Sequence, residues 1–104
     1  MSYSFIYDDR LGIETPQLER EWEEYSTEER CAILLRWEQI RGTIPERIKQ
    51  IERVIIAKQR QLDQEDNFEV SCELNSSIAD RASRINDLHL WFRVNQEIEV
   101  RMHG

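Results

Sequence analysis

Glu21 and Glu24 are the first residues in this chain whose spacing could do chemistry, because an E-x-x-E step on a helix puts two carboxylates on one face, where they could share a Mg²⁺ ion. A working site needs a second acidic step converging on the first. The nearest substitute is Asp63 with Asp66, far along the chain. His89 has Ile85 and Asn86 at i−4 and i−3, so the Glu-x-x-His step of a carboxylate-bridged metal bundle is missing. Cys31 and Cys72 have no second Cys or His at metal-ligand spacing, and His103 stands alone near the end. Ser71, Ser76, Ser77 and Ser83 have neither a nearby base nor a Gly-rich elbow. These residues predict no catalytic centre, no cofactor and no metal.

The Glu21–Glu24 step is similar to the acidic step of the all-helical nucleotide pyrophosphohydrolases, which would imply Mg²⁺-dependent hydrolysis. That family's E-x-x-D step one helix later has no counterpart here. A solvated acidic helix is the simpler account. Gly42-Thr43-Ile44-Pro45-Glu46-Arg47-Ile48-Lys49-Gln50-Ile51-Glu52 resembles the turn and recognition helix with which bacterial sigma factors read the −35 element. The resemblance covers 11 of 104 residues. It implies a helix-turn-helix over residues 32–52, with Arg47, Lys49 and Gln50 near the major groove and Ile48 and Ile51 on the core side. Glu38, Arg41 and Thr43 depart from that pattern, occupying places where small or apolar residues normally pack.

Two surfaces could serve a protein partner. Asn86 to Gln96 is the most aromatic part of the second half, and Trp91 and Phe92 beside Arg93 have the composition of an interface hot spot. The alternative is that both rings close the core. Arg47, Lys49 and Arg53, continued by Lys58 and Arg60, form a basic helix face suited to an acidic partner or to the chain's own acids. Residues 1–30 hold nine acids and three bases, net −6, while residues 41–60 hold six bases and two acids, net +4. The acidic first third is therefore expected to dock on the basic helix.

The elements that must position these residues follow from periodicity. Ser2 to Tyr7 reads as an extended arm, and Asp8-Asp9-Arg10-Leu11-Gly12 as a turn. Thr15-Pro16 looks like a helix start, followed by Leu18, Trp22 and Tyr25 at i, i+4 and i+7. Ser26-Thr27-Glu28-Glu29 is a capping box opening a second helix through Ile33, Leu34, Trp37 and Ile40, which Gly42 should end in a left-handed conformation. Residues 44–100 contain no Gly and one Pro, and read as two long helices broken at Asp66-Asn67-Phe68. Ile98, Val100 and Met102 alternate with charges, so residues 97–102 are either a strand paired with the arm or the helix end.

The expectation is one all-α domain: an extended arm (1–14), two short helices (15–42) and a long antiparallel helical hairpin (44–98). A chain of 104 residues has little sequence to cover both hairpin stripes. A coiled-coil-like homodimer is therefore expected, with Ile48, Ile51, Ile55, Leu62, Ile78, Ile85 and Leu88 at its core. Net charge −7 disfavours a surface given over to nucleic acid or anionic lipid. The longest apolar run, Cys31 to Leu35, is far too short to span a bilayer. With no signal-peptide pattern and two cysteines expected reduced and buried, the chain is placed in the cytoplasm. The expected function is that of a small, non-enzymatic regulatory or adaptor protein that binds itself and an unidentified protein. The second reading is the helix-turn-helix DNA binder.

Overall fold

Leu11, Ile13 and Thr15 are buried while Gly12, Glu14 and Pro16 between them are only half-buried, and this period of two belongs to a strand rather than a helix. In the computed structural model, which describes residues 2–103 and the side chains of residues 2–94, β1 (Tyr3–Asp8) and β2 (Ile13–Leu18) form an antiparallel hairpin. The turn is locked by Asp8, whose Oδ1 accepts from the Arg10 and Leu11 amides at 2.9 and 3.1 Å. Gly12 completes it at φ 75°, a left-handed conformation that favours glycine.

This hairpin overturns the all-α expectation. The arm's mate is the strand that follows it, and Thr15-Pro16 starts no helix. Pro16 lies inside β2 opposite Phe5, which a two-stranded sheet tolerates because both strands are edges. The apparent helix of Leu18, Trp22 and Tyr25 reduces to one 3₁₀ turn, Trp22–Glu24. Trp22 and Tyr25 are nevertheless buried, packed with Ile33 as a satellite cluster. The tail is helical through His103, and the side chains of Ile98, Val100 and Met102 lie outside the described residues.

α1 (Thr27–Arg41) begins at the expected capping box, with the Glu29 amide on the Ser26 hydroxyl and the Ser26 amide on the Glu29 carboxylate, both at 3.1 Å. Gly42 does not end it in a left-handed turn. Gly42 and Thr43 both keep right-handed helical angles, and the chain runs on into α2 (Ile44–Asp63) as one bent helix. Pro45 explains the bend: it lacks the amide that would bond the Arg41 carbonyl, and its ring would crowd that carbonyl. The Thr43 hydroxyl caps the interruption by donating to the Ile40 carbonyl at 2.7 Å.

After a four-residue connection, α3 (Phe68–His103) starts with the Val70 amide on the Asn67 side chain and returns along α2. Instead of a four-helix bundle, the fold is a bent helix and a long return helix with a β-hairpin laid across their base. Leu11 and Ile13 from the hairpin, Trp37 from α1, Ile44, Ile48 and Ile51 from α2 and Leu88 from α3 make the main core. Beyond Ile51 the helical pair projects alone, with Leu74 as its buried contact. The radius of gyration is 18.1 Å, where a compact chain of this length would have about 13 Å. No helix among the described residues is long and apolar enough to cross a membrane.

Hydrogen bonds from the Ser26 backbone and then from its hydroxyl hold the Glu29 carboxyl below its ordinary range. A carboxylate with a lowered folded value adds stability above its unfolded value and loses it as pH falls through the folded one. Ser26→Ala is expected to weaken α1 by about 1 kcal/mol and, because the larger contribution from the Ser26 backbone amide remains, to raise the Glu29 midpoint only part of the way toward the ordinary glutamate value in a carboxyl NMR titration. An unchanged midpoint would show that the Ser26 hydroxyl contributes nothing to holding the Glu29 carboxylate.

Candidate functional site

Arg47, the centre of the recognition-helix resemblance, is held by the fold. Its Nε donates to the Leu11 carbonyl at 3.0 Å and its guanidinium lies against Gly12, where a Cβ would stand 2.5 Å from Nε. Arg47 thus adds a polar contact between the basic helix and the N-terminal hairpin. The acids of the first third pair elsewhere: Glu14 meets Arg36 of α1 at 2.9 Å, and the hairpin's own Arg10 reaches Asp87 of α3 at 2.6 Å. Lys49 and Arg53 are exposed, Arg53 lying 3.7 Å from Glu46.

The aromatic segment is shared between core and surface. Trp91 is half-buried with its ring centroid 5.6 Å from that of Trp37. Phe92 packs on the core beneath Arg41, whose guanidinium sits 4.1 Å above the ring and whose Nε donates to the Phe92 carbonyl at 2.6 Å. Arg93 is exposed. This arginine clamp joins the end of α1 to α3, and periodicity gave no sign of it because its backbone acceptor is 51 residues away.

Each residue assigned to a dimer core lies on the α2–α3 seam of a single chain. Ile48, Ile51 and Leu88 are buried, Ile55 and Ile85 pack against them, and Leu62 and Ile78 are half-buried farther out. Cys31 and Cys72 are free and exposed, not buried as expected. The Glu24 carboxylate accepts the Glu21 amide at 3.2 Å, so this acidic pair caps the 3₁₀ turn. Among the described residues, no group of three His, Cys, Asp or Glu side chains is placed to hold a metal.

What the fold does assemble is a groove of about 270 Å³ between α2 and α3. Ile44, Pro45, Ile48 and Phe92 give it apolar walls, and Lys49, Glu52 and His89 a polar rim. Ile56, 47% exposed, lies farther along the same flank of α2, two helical turns from Lys49. Lys49 and Phe92 belong to two separate candidate surfaces in the sequence. Only the return of α3 along α2 makes them neighbours. Comparison with protein-family models, curated proteins and solved structures finds no match.

Gly12→Ala is expected to destabilise the fold by about 1–2 kcal/mol, from left-handed strain plus displacement of Arg47. Arg47→Glu should lower the thermal midpoint in the absence of any partner, whereas Arg53→Glu should leave it nearly unchanged. Equal midpoints for the two charge reversals would contradict the structural role of Arg47.

Proposed function

We propose that this chain is a non-enzymatic cytosolic adaptor or regulatory protein, which acts as a homodimer by binding another protein along the α2–α3 hairpin. The observation that carries the reading is the groove walled by Ile44, Ile48 and Phe92 and rimmed by Lys49 and His89, which lies at the base of the helical pair beside the main core. An apolar floor with a few polar groups at its edge is the composition of a helix or peptide seat. Free, exposed Cys31 and Cys72 fit a reducing compartment.

A helix-turn-helix reading of residues 32–52 has one observation in its favour, the exposed side chains of Lys49, Gln50 and Arg53 on α2. Against it stand the commitment of Arg47 to Leu11 and the helical angles at Gly42 and Thr43, which make a bend where a recognition turn is needed.

Both readings meet in one experiment: capture with tagged wild-type chain and with Lys49→Glu/Ile56→Asp, each with and without nuclease. An adaptor retains a stoichiometric protein through nuclease treatment and loses it in the double variant. Retention of the same protein by the double variant would remove the groove from the account. Loss of everything with nuclease would transfer the function to nucleic acid.

A further inference from the structure

The register of the β-hairpin decides which main-chain groups it leaves over. The Glu19 amide bonds the Ser2 carbonyl at 3.0 Å, so Ser2, Ser4, Ile6 and Asp8 exchange hydrogen bonds with Glu19, Gln17, Thr15 and Ile13. Tyr3, Phe5 and Tyr7 therefore turn their amides and carbonyls to the other side. Pro16, which has no amide to give, stands opposite Phe5 as this assignment requires. Among the described residues nothing else is bonded to those outward groups, and the backbone of α1 runs close to β2 rather than to β1.

The two edges of the sheet are not alike. The outward positions of β2 are Glu14, Pro16 and Leu18, so a proline breaks the row in the middle. Proline, charge and bulges keep sheet edges from pairing, and β1 has none of them from Tyr3 to Tyr7, in a chain with 34% charged residues. Beside it lies a cavity of about 360 Å³ lined by Tyr3, Ser4 and Phe5 and by Ala32 and Arg36 of α1. Ser4 belongs to the sheet face opposite Tyr3 and Phe5, so a cavity that touches all three runs along the strand's edge.

We propose that β1 is a docking edge, on which an extended, basic segment of another protein adds as a third strand. Only an extended chain offers amides and carbonyls at the spacing of Tyr3, Phe5 and Tyr7. Its charge follows from the surroundings. Residues 1–41 hold ten acids and five bases, net −5. Asp8 and Asp9 follow the edge at one end, and Glu19 and Glu21 stand with Arg20 at the other. Arg36 is held by Glu14, and Arg10 by Asp87. Every second residue of the segment lies beside Tyr3, Phe5 and Tyr7, over the cavity, and is apolar. The residues between lie beside Ser4 and the exposed Ile6 and carry Lys or Arg.

The edge is about 17 Å long, enough for a weak and reversible contact in which main-chain bonds supply affinity and the cavity supplies selectivity. It shares no residue with the α2–α3 groove, so it does not rest on the proposed function, and an adaptor with both surfaces would join two partners.

The probe is a short soluble peptide of alternating Val and Lys, set against a control of equal charge with Pro in place of Val. Each is added to the wild-type chain while amide shifts and exchange are followed by NMR. Without peptide, the Tyr3, Phe5 and Tyr7 amides should exchange fast and those of Ser4, Ile6 and Asp8 slowly. The Val–Lys peptide should shift and protect the first three, and the Pro–Lys control should not. Tyr7→Pro deletes an outward donor at an exposed residue without touching the β1–β2 ladder, and should weaken peptide binding about tenfold with the circular dichroism unchanged. Lys49→Glu/Ile56→Asp, which alters the groove, should bind the peptide as the wild type does.

Absent protection, equal effects of the two peptides, or protection confined to α2 and α3 would overturn the proposal. So would protection of the three amides that rises with the concentration of the chain alone, which would assign the edge to a second copy. The wild-type comparison decides the matter even if Tyr7→Pro fails to fold.

Discussion

Everything in this fold depends on one buried contact, where Trp37, Ile44 and Leu88 meet Leu11 and Ile13. Trp37 is 1% exposed, and Ile44 and Leu88 are fully buried. Full burial of a large apolar side chain contributes about 1.5–3 kcal/mol each. No single element supplies this core. A two-stranded hairpin is marginal in water, and so is a pair of helices joined at one end, so the sheet, the bend and the return helix stabilise one another or not at all.

Polar contacts around that centre set direction more than they add stability. Arg47 on the Leu11 carbonyl fixes how the β-turn sits on α2, Arg41 on the Phe92 carbonyl fixes α3 against the end of α1, and Arg36 holds Glu14 while its guanidinium lies 5.2 Å from the Phe5 ring. The ion pairs are mostly exposed and each is worth well under 1 kcal/mol.

Local chemistry explains what the sequence revealed and what it did not. The Ser26–Glu29 box and the Ile48, Ile51 and Leu88 stripe are legible because each is set within a few residues, and the break expected at Asp66-Asn67-Phe68 falls at residues 64–67, with Phe68 already in α3. β2 was not: Thr15-Pro16 matches a helix start, and Leu18, Trp22 and Tyr25 happen to keep helical spacing, whereas the strand is decided by Tyr3 to Asp8 across the turn. Gly42 looks like a left-handed stop because glycine commonly follows a helix, but Pro45 deprives the Arg41 carbonyl of its amide and bends the helix instead of ending it. The apolar seam is visible in the sequence, but its cover is not, because Leu11 and Ile13, which complete its core within one chain, have the local pattern of a turn and an arm. The groove was hidden for the same reason, as its two walls lie about 40 residues apart in sequence.

Native-state hydrogen exchange tests the central claim most directly. A single core built from all elements requires the slowest amides to cluster in α1 around Trp37, in α2 from Ile48 to Ile51 and in α3 around Leu88. All of these should open together with β2, and the projecting residues 56–74 should exchange faster. Slowest exchange in the projecting half, or a β-hairpin that opens far below the global stability while the helices stay closed, would contradict the account.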